Sequence, residues 1–216
     1  MADEFYTQER IDCVVRNALA AVKASQEGKN YIYLGEGPTA QRLDLKQGGY
    51  CARFVRQVYE TACGFGEGTW KYAAGSALEM CEKLAAAGHT VGDHSLVPGD
   101  IVGINRNSGP YGHIAIYVGK VDGKDCIAEN TSSTTRGNPR SAGTKLTPLS
   151  DVIERVTGVY RLLWGVPSPP WPGYKPILFS GGKYYLLKVM PNGDHRADQG
   201  KVYFTLADDT PIPVIR

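Results

Sequence analysis

The hydrophobic period of this chain changes once, near Pro98, and that change limits the folds open to it. Before it, apolar residues recur at helical spacing. Ile11, Val14, Val15, Ala18, Leu19 and Val22 line one face of a stretch from about Thr7 to Ser25, 7–27 at its widest, and Gly28 ends it. Cys51, Val55, Val58 and Ala62 repeat the pattern up to the stop at Gly64. Leu78, Cys81, Leu84 and Ala85 repeat it again between Ser76 and Ala87, before Gly88. After the turn signal Pro98-Gly99-Asp100 the period becomes that of strands. Strands are expected at Ile101–Ile104, His113–Gly119, Cys126–Glu129 and Val156–Leu162, with a hairpin turn over Val121-Asp122-Gly123-Lys124. A polar loop is expected from about Thr131 to Thr147. Helices first and antiparallel strands afterwards describe an α+β domain.

A break in composition bounds that domain at about residues 1–165. Residues 166–173 hold four prolines and read as a stiff linker. Residues 174–216 alternate in short pieces, Ile177–Phe179, Tyr184–Val189, Val202–Leu206 and Ile212–Ile215, separated by Gly- and Asp-rich turns. They read as a small all-β accessory module, too small to be robust alone. The whole chain is 42% hydrophobic and carries a formal charge of +2. Its basic residues are scattered, which argues against a nucleic-acid partner. No apolar run approaches the length of a membrane span. The start Met1-Ala2-Asp3-Glu4-Phe5 is acidic with no apolar segment behind it, so no signal peptide is expected. That places synthesis in the cytoplasm, with any release by another route.

Cys51 is the residue with the most distinctive placement. It follows the turn Gln47-Gly48-Gly49-Tyr50 and opens a helix. A thiol there sits among unpaired backbone N–H groups and the positive end of the helix dipole, which favour thiolate. His113 opens a later strand and is the candidate base. An imidazole in that role needs a third group to fix its tautomer. Glu129 and Asn130 end the next strand, and strand alternation turns only one of them towards His113. The other four cysteines, Cys13, Cys63, Cys81 and Cys126, read as small buried apolar residues. His89 and His94 have no spacing typical of zinc ligands, and neither a metal nor a cofactor is expected.

Three stretches carry a family resemblance. Gly49-Tyr50-Cys51-Ala52-Arg53-Phe54-Val55 resembles the nucleophile segment of papain-like cell-wall hydrolases, the NlpC-type peptidases and the CHAP (cysteine, histidine-dependent amidohydrolase/peptidase) amidases. Leu96-Val97-Pro98-Gly99-Asp100-Ile101-Val102 is similar to their "PGDLV" strand entry. Gly112-His113-Ile114-Ala115-Ile116-Tyr117-Val118-Gly119 is similar to their "GHVGIYVG" strand. NlpC-type proteins usually have Asp-Cys-Ser where this chain has Tyr50-Cys51-Ala52, and often His as third residue. Glu129-Asn130 is closer to the CHAP pattern.

The resemblance implies a papain-like domain of N-terminal helices on an antiparallel sheet. It further implies cysteine-dependent hydrolysis of amide bonds in bacterial peptidoglycan, in stem peptides or bridges, through a thioester acyl-enzyme. In that reading Cys51 is the nucleophile, His113 the base and then acid, and Glu129 or Asn130 orients the imidazole. Tyr50 and Tyr33 are candidates for lying beside the substrate. The tail resembles small β modules appended to such hydrolases, where Trp171, Tyr174, Tyr184 or Tyr185 would meet sugars. Two other readings share the fold: a non-catalytic wall-binding or structural protein, and an acyltransferase or transglutaminase-type enzyme.

Overall fold

A computed structural model describes residues 6–35, 37, 40–91, 96–104, 109–132 and 142–162, and the backbone of three strands at 174–179, 183–189 and 195–196. The chain forms two compact units, Glu9–Leu162 and a second made of Met1–Gln8 with Leu163–Arg216.

In the larger unit, helix α1 spans Gln8–Gln26, and its apolar stripe puts Ile11, Val14, Ala18, Ala21 and Val22 inside. A short hairpin follows, strands β1 (Tyr31–Leu34) and β2 (Gln41–Asp44), pairing Tyr31 with Asp44 and Leu34 with Gln41. Helix α2 then runs Cys51–Cys63 and stops at Gly64, whose φ of 75° is the left-handed cap that glycine adopts without penalty. Helix α3 spans Ala77–Ala86, and the Ser76 side chain caps it by accepting from the Glu79 N–H at 3.1 Å.

The sheet supplies the platform. Strands β3 (Ile101–Gly103), β4 (Ile114–Val121), β5 (Lys124–Thr131), β6 (Gly143–Pro148) and β7 (Gly158–Tyr160) pair antiparallel in the order β6-β5-β4-β3-β7. The β4–β5 turn is the two-residue Asp122-Gly123 type, with φ of 51° and 78°, as a tight hairpin requires. Val102, Ile104, Ala115, Tyr117 and Ile127 pack with Leu149 and Val152 from the short 3-10 turns that follow β6. Phe54, Val55, Val58 and Tyr59 of α2 are fully buried, and α2 packs against β4 and β5. The α+β layout of helices and one antiparallel sheet therefore holds.

Three expectations need correction. The polar segment 131–147 is not all loop: β5 runs on to Thr131, and Gly143–Pro148 forms the edge strand β6. Its alternation of polar residues conceals a strand whose Thr144 and Thr147 are nonetheless buried. His113 stands just before β4 rather than within it, with its carbonyl accepting from the Ile104 N–H at 2.7 Å. Cys13 is half-buried, whereas Cys63, Cys81 and Cys126 are buried.

In the Pro98-Gly99-Asp100 turn, Gly99 and Asp100 each have a physical reason. Gly99 has φ of 98°, and a Cβ there would strike the Ile11 side chain at 2.4 Å. Its carbonyl accepts a hydrogen bond from the Tyr59 hydroxyl. Asp100 is buried and takes a bidentate pair from Arg161, at 2.8 and 2.7 Å, and also the Val97 N–H at 2.9 Å. The turn thus ties α1, α2, β3 and the end of β7 together.

In the other unit, strands β8 (Tyr174–Phe179), β9 (Lys183–Val189) and β10 (His195–Arg196) form an antiparallel sheet in the order β10-β9-β8. The linker 166–173, Trp171 and the stretches 202–206 and 212–215 lie outside the described residues, as do the side chains of Tyr174, Tyr184 and Tyr185.

The approach to α2 depends on close contact at Gly48. A Cβ at that position would lie 2.4 Å from the Thr131 carbonyl oxygen and 2.8 Å from Ser132 Cα. Backbone cannot yield as a flexible side chain can. Gly48→Ala is expected to lower stability by about 1–3 kcal/mol, the usual range for overpacking. Gly66→Ala, whose Cβ would meet only the Thr69 side chain at 3.5 Å, serves as control. Chemical denaturation of the two variants checks this: equal midpoints would remove the steric account.

Candidate active site

Cys51 is the first residue of α2, and Tyr50 caps the helix without a side-chain bond. The turn before it is stitched to the sheet. Asn130, at the end of β5, accepts the Tyr50 N–H through Oδ1 at 2.9 Å and donates through Nδ2 to the Gln47 carbonyl at 3.0 Å. Its Nδ2 also reaches Thr144 Oγ1 on β6 at 3.3 Å. The neighbouring Thr144 N–H donates to the Leu45 carbonyl at 2.8 Å. Asn130 is fully buried, so these bonds act in a low dielectric where loss of one is costly.

His113 and Glu129 form the other half of the site. The imidazole Nε2 lies 2.5 Å from Glu129 Oε2, and Glu129 has no exposed surface. The second carboxylate oxygen accepts from Thr147 Oγ1 at 2.5 Å. With Nε2 occupied, Nδ1 is the ring nitrogen left for the Cys51 sulfur, with which His113 is hydrogen bonded. The two β5 residues contact different partners. Glu129 meets the imidazole, while Asn130 holds the turn that carries the thiol.

The electrostatics follow from these contacts. Burial alone would push the Cys51 thiol up. The hydrogen bond and charge of His113, with the backbone amides of Ile114 and Ala52, outweigh it and bring the thiol below its ordinary value. Burial alone would lower the His113 imidazole. Its bonds to Cys51 and Glu129, and their negative charge, raise it to about 9. The contact therefore favours negative charge on the sulfur and positive charge on the imidazole. Cys63 behaves oppositely: burial pushes it up to about 12. Burial also raises Cys126.

Beside Cys51 lies a cleft of about 360 Å³. The first turns of α2, including Tyr50, Arg53 and Arg56, form one wall, and residues 74–77 with Tyr111 form the other. Tyr111 is 73% exposed. Tyr50 therefore borders the cleft. Tyr33 lies elsewhere, on β1, 62% exposed and edge-on to Tyr31 at 5.9 Å between ring centroids. It is not a lining residue of the cleft. His89 is buried against Tyr72, whose hydroxyl lies 2.5 Å from its Nε2, and its Nδ1 faces the Arg161 carbonyl at 3.2 Å. His94 lies outside the described residues. Among the described residues no group of three or more His, Cys, Asp or Glu side chains is disposed to hold a metal, and no helix is long and apolar enough to cross a membrane.

This segment, from β2 through the end of β5, also has a family match. Residues 42–131 match the CHAP domain family. The superfamily resemblance carried by the three motifs is thus shown, and the matched stretch takes in Cys51, His113, Glu129 and Asn130. A CHAP domain suggests activity of the peptidoglycan hydrolase or amidase type. No curated protein and no solved structure matches the chain.

Sequence reasoning missed Thr147, Arg53 and Tyr111. Thr147 was hidden inside the supposed loop; read as a strand, 143–148 alternates so as to turn Thr147 and Lys145 to one face of the sheet. Arg53 and Tyr111 carry no signal in one sequence beyond their nearness to Cys51 and His113.

The pairing of Cys51 with His113 predicts selective reactivity. At about pH 6.5, iodoacetamide should modify Cys51 well before the other four thiols, because His113 and the amides of Ile114 and Ala52 stabilise its thiolate. Glu129→Gln should slow that reaction several-fold, since a weaker His113 cation stabilises the thiolate less. Peptide mapping after timed alkylation checks both. Uniform labelling of all five thiols would contradict the coupled pair.

Proposed function

We propose that this chain hydrolyses amide bonds in bacterial peptidoglycan, in the stem peptide or its bridge, through a thioester acyl-enzyme. The observation that carries the proposal is the hydrogen-bonded line Cys51–His113–Glu129, set at the start of α2 beside an open cleft. In this reading the Cys51 thiolate attacks the scissile carbonyl carbon, and the carbonyl oxygen becomes an oxyanion. First-turn amides of α2 are the nearest preorganised donors for that oxygen. The C–N bond then breaks as His113 gives its Nδ1 proton to the leaving amine. A thioester and a neutral imidazole remain. Water attacks the thioester, His113 takes its proton, and the carboxylic product leaves with Cys51 restored as thiolate.

Glu129 keeps the imidazole in the tautomer that presents Nδ1 to sulfur and supports its positive charge. Asn130 acts through Tyr50 and Gln47, so it is a positioning residue. Tyr50, at the rim of the cleft, is a substrate-contact candidate. The steps require no cofactor. The tail module, with its short antiparallel strands, is proposed as a wall-binding accessory to a catalytic unit ending near residue 165.

Digestion of purified peptidoglycan, with soluble fragments analysed by mass spectrometry, tests the reading. Fragments with new ends at a stem or bridge amide are expected from the wild type and not from Cys51→Ala. Activity should rise as the thiol ionises and fall as His113 loses its proton near pH 9. Glu129→Gln removes a cause that raises His113, so the alkaline limb should move down. Equal release by wild type and Cys51→Ala would take Cys51 out of the mechanism. Sedimentation with walls and no cleavage would favour a binding protein, and amide products formed only when an amine is added would favour acyl transfer.

A further inference from the structure

The cleft beside Cys51 is charged asymmetrically. Two guanidinium groups line it, Arg53 and Arg56, one turn apart on α2. Arg56 is compensated: its Nε lies 3.7 Å from Glu60 Oε2 and its Nη2 3.6 Å from Glu67 Oε1. Across the cleft, the Glu79 carboxylate is held by Lys83 at 3.1 Å and by the Gly75 N–H at 3.3 Å. Arg53 differs. It is exposed, its guanidinium carbon stands 5.8 Å from the Tyr50 ring centroid, and among the described residues no carboxylate lies within ion-pair distance of it.

We infer that Arg53 is a carboxylate-recognition residue, selecting peptides that carry a free carboxylate close to the amide placed at Cys51. A peptide whose carbonyl reaches the sulfur must run along the first turns of α2, between Tyr50 and the 74–77 turn, and so passes Arg53. Arginine presents a rigid fork suited to a carboxylate, and its stacking on Tyr50 holds that fork at the rim. Peptides of two kinds offer such a group beside a scissile amide: those linked through a side-chain carboxyl, which leave the α-carboxylate free, and those cut next to a C-terminal residue. The inference rests on the hydrolase reading for the identity of the peptide, but not for the charge preference itself.

The test uses Cys51 alkylation by iodoacetate and iodoacetamide, reagents with the same reactive carbon and differing in charge. The ratio of their rates cancels any change in thiolate fraction. Arg53→Gln should lower the iodoacetate-to-iodoacetamide ratio about threefold, the scale of one unit charge acting through water over several ångström. Arg53→Lys should recover part of it. Arg42→Gln, which removes an exposed charge on β2 outside the cleft, should leave the ratio unchanged. An unchanged ratio in Arg53→Gln, or an equal fall in Arg42→Gln, would overturn the inference. This readout needs no hydrolysis. A preserved ratio effect without peptidoglycan cleavage would fail the hydrolase reading alone, and cleavage without a ratio effect would fail the carboxylate site alone.

Discussion

The buried contact between His113 and Glu129 is the interaction on which the site depends. A carboxylate with no exposed surface is costly to bury, and here its two oxygens are taken by imidazole and by Thr147. That arrangement needs three adjacent strands in register, because His113 precedes β4, Glu129 lies on β5 and Thr147 on β6. Through His113 the same contact sets the state of Cys51, which burial alone would leave as a neutral thiol. The sheet therefore supplies the groups that favour the thiolate of a residue on a helix.

A second set of bonds fixes where that helix begins. Asn130, adjacent to Glu129 on β5, turns away from the imidazole and grips the backbone on both sides of the Gly48-Gly49 step. Gly48 lies so close to Thr131 that no side chain fits. One strand end thus serves both halves of the site, with neighbouring side chains sent to different partners by strand alternation. A shift of β5 by one residue would exchange Glu129 and Asn130 and dismantle both.

Much of this was legible in the sequence, and the rest was hidden for physical reasons. Helical spacing around Cys51 and the turn chemistry of Pro98-Gly99-Asp100 and Asp122-Gly123 locate α2 and the start of the sheet, because those signals are local. The choice between Glu129 and Asn130 is not local. It depends on strand register and on the path of residues 47–50, which no single segment encodes. The strand β6 escaped because an edge strand made of Gly, Thr, Lys and Pro around one Leu resembles a loop in composition. Arg53 looked like an ordinary helix residue, and only the cleft and the compensation of Arg56 distinguish it.

The measurement closest to the central claim is the pH titration of thiolate ultraviolet absorbance, taken as the difference between the wild type and Cys51→Ala. The account predicts a difference signal present at neutral pH, arising below the ordinary thiol range, and displaced upward when His113→Ala removes the partner. A signal that appears only near the unperturbed thiol value of about 8.5, and is indifferent to His113→Ala, would contradict it.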